Sequence, residues 1–176
     1  MPRLIEPSNA MDFFELALAY QLSANRLFER LPPQPRIGLP LSDPVYFLYY
    51  HAAELVLKAL LLSEGAPVEE RHGIRDLFTN CQTYQLLDIV DKHRELYNLM
   101  VFLGGLRENE KEDYGMGYRY ASRNGAVPIL EEVREGVAEL IAYIEPRLEK
   151  WAKANPVAGQ VTRLRYAIGK WTKQPE

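Results

Sequence analysis

A nearly continuous apolar segment over residues 44–64 constrains the fold more than any other part of the chain. It opens with Pro44 after Asp43, a residue suited to capping a helix, and it ends at Gly65, with Pro67 close behind. A helix that is apolar on nearly every side is normally buried in the middle of a helical bundle. The sequence therefore predicts an all-α protein with this helix at its centre.

Three polar residues interrupt the segment before its end: His51, Glu54 and Lys58. Their spacing places them on one narrow stripe of a helix, which must meet water, a partner or a ligand. They could line a ligand-binding groove between helices. Alternatively, Glu54 and Lys58 form a structural ion pair, worth roughly 0.2–0.5 kcal/mol, with His51 at a polar edge of the bundle. We favour the structural interpretation, because buried charged groups need partners whatever the function.

The composition is that of one globular domain. The chain has 176 residues, 47% of them hydrophobic, and a formal net charge of −3, so no overall positive field draws it to nucleic acid or to a membrane. We expect a single domain over residues 1–176, with a core at 10–153 and an extension at 154–176. The one cysteine, Cys81, has no intramolecular disulfide partner. We therefore expect a cytoplasmic protein.

The apolar segment is long enough to raise the question of a membrane span. Glu54 and Lys58 lie near its centre, where each would cost about 2.5–3.5 kcal/mol in a bilayer. The first residues also lack the apolar core of a signal peptide. We therefore expect no membrane association.

Helical periodicity predicts further helices around the central one, over residues 10–30, 72–84, 87–106 and 130–151. The first carries an apolar stripe made of Phe13, Phe14, Ala17, Tyr20, Ala24, Leu27, Phe28 and Leu31. The last carries another, made of Leu130, Val133, Val137, Leu140, Ile141, Ile144, Leu148 and Trp151, and Pro146 should kink it. The predicted fold is an antiparallel up-and-down bundle of about five helices plus a short C-terminal helix.

The connection from Arg107 to Ala126 is unusual in length and composition. Loops longer than about 12–15 residues are uncommon in compact domains and are often functional or disordered. Its three tyrosines and three arginines argue against disorder, although its first part could extend the preceding helix. An anionic ligand with a flat ring would suit these side chains, because arginine pairs with phosphate and tyrosine stacks on a base. The candidate ligand-binding residues are Arg107, Tyr114, Tyr118, Arg119, Tyr120 and Arg123.

The alternative for this connection is a loop docked on the bundle. Its tyrosines would then pack on helices, and its arginines would pair with the neighbouring acidic residues Glu108, Glu110, Glu112 and Asp113. The acidic run itself is typical of a solvated helix end, so we predict no metal site and no cofactor.

Two consecutive motifs resemble the HEPN superfamily. The first is Ala52-Ala-Glu-Leu-Val-Leu-Lys-Ala-Leu-Leu61, followed by Gly65, and the second is His72-Gly-Ile-Arg-Asp-Leu77. The resemblance implies a small helical bundle, often dimeric. Many members are toxin or defence ribonucleases, and others are noncatalytic and associated with nucleotide or RNA binding. The ribonucleases use the RNA's own 2′-OH without a metal, and they carry an arginine and a histidine separated by four to six residues.

Arg107 stands where the resemblance places that arginine, but Glu112 stands where the histidine is expected. One toxin subgroup has Arg-x4-His-x-Tyr, with the tyrosine modified by a nucleotidyltransferase antitoxin, and Tyr114 fits that position. A glutamate can act as a general base but cannot supply the positive charge of an imidazolium. The chain's histidines are at 51, 72 and 93, and none has the required spacing. This departure argues against ribonuclease activity.

These observations predict a noncatalytic HEPN-like domain that forms a homodimer and binds nucleotide or RNA at the 107–123 loop and a dimer groove. One alternative is a divergent, metal-independent ribonuclease with Arg107, Glu112 and Tyr114 as catalytic residues. The other is an interaction module paired with a nucleotidyltransferase-like protein.

Overall fold

The computed structural model describes residues 10–31, 42–68, 73–86 and 130–155. These stretches form four α-helices and no strand: α1 (Ala10–Glu29), α2 (Ser42–Ser63), α3 (Ile74–Thr83) and α4 (Leu130–Ala154). The all-α prediction is confirmed. The predicted helix over 87–106, the connection from Arg107 to Ala126 and the C-terminal helix lie outside the described residues.

Helix α2 is the central helix of the described part, because it packs against α1, α3 and α4. Its window Pro44–Ser63 is long and apolar enough to cross a membrane, but 83% of that window is buried inside the protein. Such burial is expected of the middle helix of a bundle. Residues fully buried on it point in several directions around the helix: Val45, Tyr49, Ala52, Ala53, Val56, Leu57, Ala59, Leu60 and Leu61.

Helices α1 and α2 run antiparallel and approach through alanines. The Tyr20 ring lies 5.3 Å from the His51 ring, and further along α1 Asn25 accepts a 2.7 Å hydrogen bond from the Tyr49 hydroxyl. Going forward along α1 therefore means going backward along α2. Alanines at seven-residue spacing on α1, and others on α2, have no exposed surface: Ala10, Ala17, Ala24, Ala52, Ala53 and Ala59. Side chains this small leave room for the two backbones to lie close together.

The predicted stripe on α1 is largely correct, with one error. Phe14, Ala17, Ala24, Phe28 and Leu31 are buried, and Phe13 and Tyr20 pack partly against the core. Leu27, in contrast, is 43% exposed. At 100° per residue it falls beyond the edge of the arc defined by the alanines, so helical geometry turns it away from α2.

Helix α2 ends at the predicted glycine in a Schellman motif. Gly65 has a φ of +73°, the Ala66 N–H donates to the Leu61 carbonyl at 2.9 Å, and the Gly65 N–H donates to the Leu62 carbonyl at 3.1 Å. These bonds satisfy carbonyls that the helix itself leaves without partners. The turn they form leads the chain towards α3.

Helix α3 is fastened at both ends. At its start, the Ile74 N–H donates to the hydroxyl of Tyr50 on α2 at 3.4 Å, and the Gly73 N–H donates to the Asp76 carboxylate at 3.3 Å. At its end a second Schellman motif forms around Gln85, with a φ of +55° in a residue other than glycine. The side of α3 that faces the core carries Ile74, Leu77 and Phe78, all of which are buried.

Helix α4 confirms the clearest amphipathic pattern in the sequence. Its predicted inward residues from Leu130 to Leu148 are buried, and Trp151 is partly buried at the edge of the core. The helix continues through Pro146, where the predicted kink stays a prediction. Beyond Pro146, the Arg147 guanidinium donates to the Leu86 carbonyl and so connects α4 with the end of α3.

Candidate functional site on the central helix

The polar stripe of α2 is joined into one hydrogen-bonded relay. The Lys58 Nζ donates to Glu54 Oε1 at 2.8 Å, and the His51 Nδ1 lies 3.3 Å from Glu54 Oε2. The spacings of three and four residues make these contacts possible, because such residues lie above one another on a helix. A single carboxylate thus links an ammonium group to an imidazole.

The relay passes from the interior of the bundle to its surface. The side chains of Lys58 and Glu54 are 8% and 12% exposed, whereas that of His51 is 33% exposed. The charged pair is therefore largely withdrawn from water. The imidazole is the member that a ligand in solution can reach.

Opposing effects act on the pKa of Glu54. Burial, the largest single effect, raises the pKa of this carboxyl. The hydrogen bond from His51, together with the charge and hydrogen bond of Lys58, outweighs burial and holds the pKa below its ordinary value. Glu54 is consequently ionised at neutral pH, as an ion pair with Lys58 requires.

Three aromatic rings surround His51. The Phe47 ring meets it edge-on, with centroids 4.5 Å apart and planes at 80°, and the Tyr20 ring lies 5.3 Å away at 40°. The Tyr50 ring is more distant, at 6.4 Å. Ring contacts of this kind are favourable, so the three rings stabilise the imidazole in this position.

A further charged residue is buried on α1. Glu15 is 5% exposed, and with Lys58 it is one of the two buried charged residues in the described stretches. The antiparallel pairing of Tyr20 with His51 places Glu15, which precedes Tyr20, in the same half of the helix pair as Lys58, which follows His51. Sequence reasoning missed Glu15, because a lone glutamate on an amphipathic helix is usually exposed.

The structure brings together three predicted site residues, His51, Glu54 and Lys58. The other predicted residues lie outside the described residues: Arg107, Glu112, Tyr114, Tyr118, Arg119, Tyr120 and Arg123.

The sequence analysis did not identify Phe47 and Tyr50 as neighbours of His51, although the i, i+4 spacing of Phe47 and His51 indicates a contact on one face of the helix. Tyr20 comes from another helix, and no local signal could place it there. Among the described residues, no group of three His, Cys, Asp or Glu side chains is arranged to hold a metal ion.

Comparison with known proteins identifies the class. A family model described as HEPN domain matches residues 41–145, which is more than half of the chain. The chain belongs to the HEPN family. No curated protein and no solved structure matches it.

Most of the residues that resemble the family pattern are core residues. Ala52, Ala53, Leu57, Leu60 and Leu61 have no exposed surface, and Ile74 and Leu77 of the second motif are equally buried. The polar members, Glu54 and Lys58, form the relay with His51. The first motif thus supplies much of the packing of the central helix and two of the three polar groups of the site, and His51 directly precedes it.

Proposed function

We propose that this HEPN domain binds a nucleotide or RNA and lacks the ribonuclease chemistry of many family members. The observation that carries the proposal is the position of His51. The Glu54–Lys58 pair has a sufficient structural explanation, but a partly exposed imidazole fixed by a buried carboxylate and surrounded by aromatic rings does not need to be there for packing. Sites for small ligands combine apolar and aromatic walls with a few fixed polar groups in this way.

The 107–123 segment contributes the second part of the proposal. Its arginines suit phosphate groups and its tyrosines suit stacking on bases, and the domain would act as a homodimer with the ligand in a groove between the copies. Glu112 at the expected histidine position supports binding without cleavage, because a carboxylate repels the scissile phosphate.

Isothermal titration calorimetry with ATP, GTP and a short single-stranded RNA tests the proposal. We expect saturable binding to the wild-type protein and about tenfold weaker binding to His51→Ala and to Arg119→Ala/Arg123→Ala, a loss of about 1.4 kcal/mol each. Leu16→Ala, at an exposed position of α1, is the control and should bind like the wild type. No heat of binding at millimolar nucleotide and micromolar RNA would reject the proposal.

Divergent ribonuclease activity is a second candidate function. It is favoured by the spacing of Arg107, Glu112 and Tyr114, which matches the Arg-x4-His-x-Tyr pattern except at the histidine. Purified protein and an Arg107→Ala variant are incubated with total RNA in the presence of a chelator. Cleavage by the wild type alone would establish this candidate and reject the noncatalytic part of the proposal. Equal cleavage by both proteins, or by neither, would reject the candidate.

Exposed leucines on α1 favour a protein-interaction role as a third candidate. Leu16 and Leu27 are 45% and 43% exposed and lie three turns apart, so they share one face of the helix. A nucleotidyltransferase-like protein is the partner that the family resemblance suggests. Co-purification with such a protein should be lost in Leu16→Glu/Leu27→Glu, and equal recovery with the variant would count against this face.

A further inference from the structure

The protonation pattern of the relay follows from the chemistry of its central group. Lys58 lies 2.8 Å from one oxygen of Glu54, and both side chains are largely withdrawn from water. An ionised carboxylate has two acceptor oxygens and no hydrogen to donate. The contact between His51 Nδ1 and Glu54 Oε2 at 3.3 Å is therefore a hydrogen bond only when Nδ1 carries the proton.

This proton determines what the other ring nitrogen can do. A neutral imidazole has a single N–H, so with Nδ1 protonated Nε2 presents an unshared electron pair. Within the described stretches, Glu54 is the one hydrogen-bonding partner of the ring. The His51 side chain is 33% exposed, so solutes can reach the ring, and its Nδ1 edge is the one that faces Glu54.

We propose that Nε2 of His51 accepts a hydrogen bond from a hydroxyl or amino group of the bound ribonucleotide. Glu54 and Lys58 are positioning residues: Lys58 fixes the carboxylate, and the carboxylate fixes the tautomer and the direction of the imidazole. The rings of Tyr20, Phe47 and Tyr50 hold the imidazole in place and offer an apolar surface beside it. This inference rests on the proposed function and deepens it.

Nuclear magnetic resonance of the 15N-labelled protein tests the tautomer without any ligand. At about pH 8, where an ordinary imidazole is neutral, long-range 1H–15N correlation distinguishes the protonated from the unprotonated ring nitrogen. The His51 signals are assigned by their loss in His51→Gln. We expect a protonated Nδ1 and an unprotonated Nε2. A protonated Nε2 in the free protein would overturn the inference whatever the protein binds.

Calorimetry with paired nucleotides tests the contact. The tightest-binding of AMP, GMP, CMP and UMP is compared with its 2′-deoxy form and, where it has an amino group, with its deaminated form. We expect one analogue to bind at least fivefold more weakly to the wild type, and this difference to vanish in His51→Phe, which keeps a flat ring. Circular dichroism confirms that the variant is folded, and an Nε2 resonance that shifts on adding ligand gives an independent readout.

The outcomes separate this inference from the proposed function. If nucleotide binds but neither analogue is weakened and Nε2 does not shift, the contact is wrong and the proposed function stands. If no nucleotide and no RNA binds, the proposed function fails and the contact fails with it, while the spectrum of the free protein still decides the tautomer.

Discussion

Lys58 and Glu54 are joined one helical turn apart by a 2.8 Å hydrogen bond, on the helix whose other side chains form the centre of the core. On a surface helix this pair would be worth a few tenths of a kcal/mol. Here both groups are largely withdrawn from water. Removing one partner leaves the other charge buried, and the cost of that charge then exceeds the value of the bond that was lost.

Replacing Lys58 by methionine should therefore destabilise the fold by about 3 kcal/mol, near the lower end of the range for breaking a buried pair. The double variant Glu54→Leu/Lys58→Met removes both charges and should lose much less, because apolar residues of similar size can replace a buried ion pair at little cost. Urea denaturation of the wild type, of Glu54→Leu, of Lys58→Met and of the double variant measures each free energy of unfolding. Additive losses in the double variant would contradict a coupled buried pair.

The lowered pKa of Glu54 predicts how stability depends on pH. Its ordinary value is 4.5, and the folded protein holds it lower, so folding favours the ionised form. The stabilisation by this group is fully present above about pH 4.5 and is lost as the pH falls through the lower pKa of the folded state. We expect the wild type to lose more stability than Glu54→Gln between about pH 5 and pH 3, measured by thermal unfolding.

The sequence predicted the fold because the strongest signals are local. The apolar helix over 44–64, the glycine at its end and the amphipathic pattern from Leu130 to Leu148 each depend on residues a few positions apart. Helical periodicity converts such patterns directly into buried faces. The prediction that Leu27 faces the core was wrong. The apolar residues of α1 cover a wider arc than the surface that contacts other helices, and the sequence does not show where that contact surface ends.

The candidate site was predicted only in part. The spacing of His51, Glu54 and Lys58 placed them on one stripe, but the depth at which each lies depends on what packs beside α2. Tyr20 reaches His51 from α1, and Glu15 is buried by the pairing of the two helices. Contacts between residues distant in sequence depend on how helices pack, and one sequence carries no local signal for them.

The two Schellman motifs give a matched pair of substitutions. An alanine Cβ at Gly65 would meet nothing within 4 Å, so Gly65→Ala tests backbone strain alone and should cost about 1 kcal/mol at a φ of +73°. Gln85 already bears such strain at a φ of +55°, so Gln85→Gly should stabilise the protein by about 0.5–1 kcal/mol. Urea denaturation measures both. The two substitutions should change the free energy of unfolding in opposite directions. A destabilised Gln85→Gly variant would show that the glutamine side chain contributes more stability than its backbone strain costs.

The alanine contact between α1 and α2 predicts opposite tolerances at neighbouring positions. Ala17 has no exposed surface and lies in the seven-residue series that faces α2, whereas Leu16, one position earlier, is 45% exposed. Ala17→Leu would force three extra carbon atoms between closely packed helices and should destabilise the protein by about 1–3 kcal/mol. Leu16→Ala should change the free energy of unfolding by less than about 0.5 kcal/mol, as is usual for surface positions. Urea denaturation measures both changes in the free energy of unfolding. If the two substitutions changed it equally, α1 would not approach α2 through its alanines.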